Sequence, residues 1–264
     1  MAKKISIIGG GNLGTAIAEG LLKSKFSKAA DIIITKRNIS TLKPMKEKGV
    51  EITDDNAAAV KKSEIIILAV KPFQVEDVLN GIKKELTGNK ILISVVTGVL
   101  ISEMEAIVKK NIVYFRAMPN TAIAIQESMT CICSKDANAD DIKYVNDLFC
   151  TVGKVVTIDE KLMEAATVLA ACGTAYAMRY IRANIQGGIE IGFDANTASL
   201  IAAQTVKGAA ELLLQKGSHP EQEIDKVTTP KGCTIAGLNE MEHRGFSSSL
   251  IRGVVASYKK IAKD

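Results

Sequence analysis

Tryptophan is absent from this chain of 264 residues, and aromatic residues make up only 4% of it. Proteins that bind single-stranded nucleic acids stack the bases on aromatic side chains, and those that bind duplexes concentrate basic residues on one face. Here the net charge is only +5, and the lysines and arginines are scattered along the chain. We therefore expect no nucleic-acid partner.

Long apolar runs are also missing. The longest purely apolar run covers residues 65–70, whereas a membrane-spanning helix needs roughly 18 or more apolar residues. Lys3 and Lys4 precede an apolar patch, as in a signal peptide, but three glycines interrupt that patch and no cleavage-like site follows. These features predict a cytoplasmic protein without a membrane segment.

Cysteine and histidine are too few, or wrongly spaced, for several kinds of site. The five cysteines contain no C-x-x-C pair, and their odd number does not fit a disulfide framework. Cys131 and Cys133 lie two residues apart in an apolar stretch, which favours buried packing over a metal site. The two histidines, His219 and His243, belong to no H-E-x-x-H or Ser-His-Asp pattern. The sequence thus predicts reduced thiols and no metal site.

A glycine-rich turn near the amino terminus is the strongest single motif. Gly9, Gly11 and Gly14 satisfy G-x-G-x-x-G after an isoleucine-rich strand and before a helical pattern. In this motif the first glycine forms the turn, the second lets a pyrophosphate approach the backbone, and the third lets helix and strand pack closely. After Asn12, Leu13 and Gly14 the pattern becomes helical, and the free N–H groups and dipole at the start of a helix attract phosphate. We therefore expect these five residues to bind a dinucleotide.

The end of the second strand, residues 31–35, indicates which nicotinamide cofactor is used. An acidic residue there binds the ribose 2′-hydroxyl of NAD, whereas basic residues accept the 2′-phosphate of NADP. The strand is followed by Lys36 and Arg37 rather than by an acid, and a guanidinium offers phosphate a planar pair of donors. An ordinary charged loop is the alternative. We expect NADP(H), with NAD(H) as the second option.

Further cofactor contacts are expected where the buried strand 65–70 ends. In doubly wound sheets, ligands bind outside the carboxyl ends of the strands, so Ala69, Val70, Lys71 and Pro72 should line the cofactor. The alternative is a strand that simply ends at a proline beside a surface lysine. Asn56 is expected to cap the helical segment 57–62 and is also assigned to the cofactor site.

The chain divides into two parts of different character. Strands and helices alternate through residues 1–158, which predicts an α/β domain with one doubly wound sheet. Residues 159–264 have no strand signal, and helical stretches cover 160–191, 195–216 and 235–260. We expect a second, all-helical domain. Its helices carry small residues on several faces, more than a monomeric bundle readily buries, which favours a homo-oligomer.

Five segments together form a family pattern. In chain order they are residues 4–14, 69–72 (AVKP), 116–120 (RAMPN), 171–176 (ACGTAY) and 229–235 (TPKGCTI). They resemble the signature segments of the pyrroline-5-carboxylate reductase family. The resemblance implies a Rossmann domain that binds NADP(H), joined to a helical domain through which subunits dimerise, often in larger rings of dimers. It implies reduction of 1-pyrroline-5-carboxylate, a cyclic imine carboxylate, to L-proline by hydride transfer, the last step of proline synthesis.

The last of these segments is expected to bind the substrate. Thr229 can cap a helix with Pro230 in its first turn, so that Gly232, Cys233 and Thr234 present backbone N–H groups to the substrate carboxylate. The resemblance places the hydroxyl of Thr234 near the ring nitrogen, and we expect Thr234 to be the catalytic residue.

Cys172 and Asn120, from two other signature segments, complete the expected substrate site. The family usually has G-S-G-P-A-Y where this chain has ACGTAY, and a glycine where this chain has Lys231. Two alternatives stay open. One is a related reductase acting on another cyclic imine or on a hydroxyacid, although hydroxyacid dehydrogenases of this build carry a catalytic lysine on the long helix, and residues 172–189 contain none. The other is a non-catalytic NADP-sensing paralogue.

Overall fold

One eight-stranded sheet organises the first part of the chain, in a computed structural model that describes residues 3–262. The strands are β1 Ile5–Ile8, β2 Ile32–Thr35, β3 Glu51–Thr53, β4 Ile65–Leu68, β5 Ile91–Ser94, β6 Val113–Met118, β7 Ser128–Lys135 and β8 Gly153–Thr157. Their spatial order is β3-β2-β1-β4-β5-β6-β7-β8. Neighbours run parallel except β6 and β7, which are antiparallel. The predicted α/β fold with a doubly wound sheet is confirmed.

Helices cover the sheet, and helices joined by turns form the part of the described chain that follows it. They are α1 Asn12–Lys23, α2 Lys43–Glu47, α3 Asn56–Lys61, α4 Val75–Ile82, α5 Ile101–Val108, α6 Ala139–Cys150, α7 Met163–Ala166, α8 Gly173–Glu190, α9 Ala195–Lys216, α10 Pro220–Lys226, α11 Cys233–His243 and α12 Phe246–Ala262. A π-helical turn, Thr167–Cys172, connects α7 to α8.

The central strands are buried on both faces. Every residue of β1, β2, β4 and β5 is buried, because helices lie on both sides of the sheet. Successive side chains point to opposite faces: Ile5 and Ile7 pack in the core cluster that contains residues of α1 and α6, whereas Ile8 packs in the cluster that contains residues of α4 and α5. The strands therefore read as continuous isoleucine runs rather than as alternating patterns.

Two of the predicted helical stretches are interrupted. The stretch 160–191 contains the π-helical turn between α7 and α8. The stretch 235–260 begins earlier, at Cys233, and is broken where α11 ends at His243 and Gly245 takes φ +78°, a conformation that favours glycine. The predicted helical stretch 235–260 is therefore helical, but it is divided into α11 and α12.

The cap of α3 also differs from its predicted position. The carboxylate of Asp55 accepts a hydrogen bond from the N–H of Ala58 at 2.9 Å, and Asn56 is the first helical residue. Asp and Asn are both favoured caps, so composition alone does not decide between adjacent positions. The prediction that Asn56 caps this helix was wrong.

The described chain separates into two compact units. The second spans Cys172–Lys259, and the first comprises the remaining residues, including the whole sheet. Within residues 3–262, no helix is both long and apolar enough to span a membrane.

Candidate functional site

The glycine turn after β1 is shaped by its neighbours. Gly9 takes φ +111°, and a Cβ at this position would lie 2.4 Å from the carbonyl oxygen of Ala69. A Cβ at Gly14 would lie 2.1 Å from the carbonyl oxygen of Gly9. A Cβ at Gly11, in contrast, would meet no atom within 4 Å. Packing therefore explains Gly9 and Gly14, whereas the open space beside Gly11 fits a ligand that approaches the backbone.

The start of α1 offers hydrogen-bond donors beside that space. Gly11 is the N-cap, and no side chain caps the helix. The exposed Asn12 and the half-buried Leu13, which packs on the core, form the first turn. The first N–H groups of a helix have no partner within it and carry the positive end of its dipole. The open space beside Gly11 and the first N–H groups of α1 together form a cradle that fits the pyrophosphate of a dinucleotide.

The end of β2 lies next to the same turn. The N–H of Gly10 donates to the carbonyl of Thr35 at 2.7 Å. The next residues are the half-buried Lys36 and the exposed Arg37, and neither forms an ion pair with another residue of the described chain. Asn38 instead caps the following turn by accepting a hydrogen bond from the N–H of Ser40. Two cations thus stand at the position that distinguishes the two nicotinamide cofactors.

The loop after β4 forms the other side of the glycine turn. The N–H of Ala69 donates to the carbonyl of Ile8 at 2.8 Å, and the half-buried Val70 lies beside Gly9. Lys71 and Pro72 are exposed. The strand order reverses between β1 and β4, which is where ligands bind in open α/β sheets.

Asn56 lies on the same edge of the sheet, since it follows β3, and β3 is parallel to β2. It is half-buried. Two strands separate it from the β1–β4 crevice, because β3 is the edge strand of this side.

Arg116, within β6, is the centre of an ion-pair cluster that sequence reasoning missed. Arg116, only 1% exposed, donates through Nη1 to Glu160 Oε1 at 3.2 Å and through Nη2 to Glu164 Oε1 at 2.9 Å. Glu160 Oε1 also accepts a hydrogen bond from the N–H of Ile101, at the start of α5. One buried cation therefore joins β6 to α7 through Glu164 and, through Glu160, to the start of α5.

Asn120 follows two residues after β6, and its side chain is bound within the protein. Its Oδ1 accepts a hydrogen bond from the N–H of Ala122 at 3.0 Å, and its Nδ2 donates to the carbonyl of Ala170 at 3.1 Å. Its backbone N–H donates to Ser128 Oγ at 3.1 Å. The sequence predicts a substrate contact for Asn120; in the structure, its side chain links the loop after β6 to the π-helical turn.

In the second unit, the predicted carboxylate-binding segment begins its helix later than expected. Residues 229–232 form a tight turn in which the N–H of Gly232 donates to the carbonyl of Thr229 at 2.9 Å. Gly232 is the N-cap of α11, and Cys233 is its first residue. The predictions that Thr229 caps this helix and that Pro230 lies in its first turn were therefore wrong.

The tight turn explains two residues of this segment. Lys231 takes φ +61°, a left-handed conformation that glycine adopts more easily. A Cβ on Gly232 would lie 2.6 Å from Thr229 Oγ1, so glycine is required there. No side chain caps α11, which leaves the first N–H groups, including those of Cys233 and Thr234, available to an anion.

The cysteines are free thiols in different surroundings. Cys172 closes the π-helical turn and is partly exposed, whereas Cys233 is exposed. Cys131 and Cys133 are buried in β7, and burial raises the pKa of Cys133 to about 11. The predicted buried packing of this pair is confirmed. Among residues 3–262, no group of three His, Cys, Asp or Glu side chains is arranged to hold a metal ion.

Two family models match the chain. One, described as NADP oxidoreductase, coenzyme F420-dependent, matches residues 4–98. The other, described as pyrroline-5-carboxylate reductase dimerisation, matches residues 160–264.

Curated relatives and a solved structure are similar over almost the whole chain. Pyrroline-5-carboxylate reductase 1 of Dictyostelium discoideum is 47% identical over 98% of this chain, which spans about half (49%) of that protein's length. Pyrroline-5-carboxylate reductase 2 of the same organism is 44% identical, and the match covers 99% of this chain and 93% of that protein. The crystal structure of pyrroline carboxylate reductase from Plasmodium falciparum with NADP bound has a TM-score of 0.88 at 30% identity, with 98% of this chain and 96% of that chain covered.

Proposed function

Because the chain belongs to the pyrroline-5-carboxylate reductase family, we propose that it reduces 1-pyrroline-5-carboxylate to L-proline with NADPH, the last step of proline synthesis. The observation that carries this proposal is the similarity to a reductase that is 44% identical over 99% of this chain. The open cradle beside Gly11 supports it from the structure, since the cofactor needs such an approach.

In the first unit, the cofactor is held by the edge of the sheet. The N–H groups at the start of α1 bind the pyrophosphate beside Gly11, and Lys36 and Arg37 bind the 2′-phosphate. Residues 69–72 line the nucleotide beside the β1–β4 crevice, and Asn56 contributes from the same edge. When bound, NADPH would supply a hydride to the imine carbon of the N-protonated ring, and the electron pair of the C=N bond would move to the nitrogen, which becomes the secondary amine of proline.

In the second unit, the substrate carboxylate is bound by the N–H groups of Cys233 and Thr234, where the helix dipole favours an anion. Gly232 leaves the approach to these groups free of a side chain. The hydroxyl of Thr234 forms a hydrogen bond with the ring nitrogen, whose charge changes during the reaction. Cys172 lines the ring. The residues thus orient the substrate and stabilise its charge, and no protein nucleophile is required.

The helical unit also forms the contact between subunits. The family model that matches residues 160–264 is described as a dimerisation domain. Leu200 and Leu214 of α9 are 71% and 72% exposed, and Ile251 of α12 is 62% exposed, as expected for an apolar surface that a second copy covers. Dimers formed in this way can assemble into a ring, and the cytoplasm is the expected location.

A substrate panel tests the proposed function. The purified chain should oxidise NADPH with pyrroline-5-carboxylate and not with hydroxyacids, and other cyclic imines should be slower substrates. Faster turnover of another imine would point to the related reductase, and NADPH binding without turnover of any compound would point to a sensing paralogue.

A further inference from the structure

The hydrogen bonds of Asn120 link the exit of β6 to a point 50 residues further along the chain. The side-chain oxygen faces the N–H of Ala122, and the side-chain nitrogen faces the carbonyl of Ala170. Because one atom accepts and the other donates, only an amide satisfies both partners. The sequence motif around Asn120 gives no sign of this link.

The link ends on an unusual piece of backbone. Ala170 belongs to the π-helical turn Thr167–Cys172, and such turns are rare and often found at functional sites. Cys172, the last residue of this turn, is the first residue of the second unit. If the turn relaxed to an α-helical pattern, Cys172, which closes it, would be rotated by about 100° around the helix axis.

The same backbone segment is also held at its beginning. Arg116, four residues before Asn120, binds Glu160 and Glu164. The segment 160–171 is therefore attached to the β6 region at both ends, by an ion-pair cluster at one and by the amide of Asn120 at the other.

We propose that Asn120 is a positioning residue of the reductase reaction, which holds the carbonyl of Ala170 and so keeps the π-helical turn in register. In this role it orients Cys172, the last residue of the turn, without contacting the substrate. The inference rests on the proposed function, because the reaction that depends on this orientation is the reduction of pyrroline-5-carboxylate.

Two substitutions in the full-length chain test the proposal. Asn120→Ala deletes the amide. Asn120→Asp keeps the acceptor for the N–H of Ala122 but places an oxygen against the carbonyl of Ala170. Val145→Ala is the control for lost stability, since Val145 is fully buried in the core cluster that does not contain residues 163–171. The readouts are kcat and KM for pyrroline-5-carboxylate, the kinetic isotope effect with NADPH deuterated at the transferred position, and hydrogen exchange of residues 167–172.

We expect both Asn120 variants to lower kcat by about tenfold to a hundredfold, the effect of a small misplacement of reacting groups. The substrate KM should change little, the isotope effect should increase, and residues 167–172 should exchange faster. Asn120→Asp should be at least as impaired as Asn120→Ala, and Val145→Ala should lose stability without these changes. If the charged variant does not fold, Asn120→Ala carries the test.

Three results would overturn the proposal. A raised substrate KM with normal exchange in residues 167–172 would make Asn120 a substrate ligand. If Asn120→Asp has wild-type kinetics and hydrogen exchange, the bond to the carbonyl of Ala170 has no role in the reaction. Asn120 would then serve only as the acceptor for the N–H of Ala122. A loss of stability without any kinetic change would make its role purely structural. If the wild-type chain does not reduce pyrroline-5-carboxylate, the proposed function fails, whereas hydrogen exchange, measured without substrate, still reports whether Asn120 holds the turn.

Discussion

The substitution Gly11→Ala separates ligand binding from folding at the glycine turn. Gly11 has φ −83° and ψ −167°, a conformation that alanine adopts, and its Cβ would meet no protein atom within 4 Å. Alanine is a poorer N-cap than glycine by about 0.5–1 kcal/mol, while the reduced freedom of the unfolded chain contributes about 0.4–1 kcal/mol in the opposite direction. The free energy of unfolding should therefore stay nearly unchanged.

The affinity for NADPH should fall strongly in the same variant. The added methyl group would occupy the space through which the pyrophosphate reaches the N–H groups of α1. Loss of one charge-assisted hydrogen bond costs about 1.5–3 kcal/mol, which corresponds to a Kd raised about ten- to a hundredfold. The assay is a titration of NADPH fluorescence, with thermal unfolding measured on the same samples.

Two further glycines provide controls. Gly14→Ala should destabilise the fold by about 1–3 kcal/mol, because its Cβ would lie 2.1 Å from the carbonyl oxygen of Gly9. Gly81→Ala, in α4 with no atom near its Cβ, should leave NADPH affinity unchanged and gain about 0.5–1 kcal/mol. A folded Gly11→Ala variant with wild-type NADPH affinity would refute the assignment of the pyrophosphate site beside Gly11.

Substitutions at three other positions test separate parts of the account. Arg37→Ala should raise the KM for NADPH about ten- to a hundredfold, the value of a charge-assisted contact, and leave the KM for NADH unchanged; an unaltered NADPH preference would remove Arg37 from the phosphate site. Thr234→Ala should lower turnover more than NADPH binding, and Thr234→Ser should restore part of the turnover; equal losses of both would exclude Thr234 from the site. Nζ of Lys90 donates to the carbonyls of Val60 and Ser63, and burial is the main cause that lowers the pKa of Lys90 from 10.5. Between the lowered pKa and 10.5, the unfolded chain therefore binds more protons than the folded one. The free energy of unfolding should rise with pH in that window. Lys90→Met should lose this rise in pH-dependent denaturation and cost about 1–3 kcal/mol at neutral pH, because the carbonyl of Ser63 loses the Lys90 donor, whereas that of Val60 keeps the N–H of Ser63. An identical pH dependence in both proteins would contradict the assignment.

The parts of the fold that could be predicted are those encoded in local pattern. Buried parallel strands appear as runs such as residues 65–68, and the glycine turn requires small residues at fixed spacing. Both signals are complete within a few residues. The resemblance of ordered segments then carried the prediction from fold to function.

The parts that could not be predicted depend on partners distant in the sequence. Arg116 meets Glu160 and Glu164, which lie 44 and 48 residues later, and no periodicity indicates such a pairing. The π-helical turn has no composition of its own, because its backbone pattern is set by packing.

Helix starts were misjudged because cap preference is a property of residue type. Thr229 is a good cap by composition, yet the left-handed Lys231 keeps residues 229–232 in a turn and delays the helix to Cys233. At α3, Asp55 and Asn56 are both favoured caps by residue type, so the sequence could not show that Asp55 is the cap.

Tracing the transferred hydrogen tests the central claim most directly. The purified chain is supplied with pyrroline-5-carboxylate and with NADPH deuterated on one face of the nicotinamide, then on the other, and the product is analysed by mass spectrometry and NMR. The account predicts L-proline with one deuterium, from one face only, on the ring carbon that adjoins nitrogen and lacks the carboxylate. L-proline without deuterium from either face, or no L-proline at all, would contradict it.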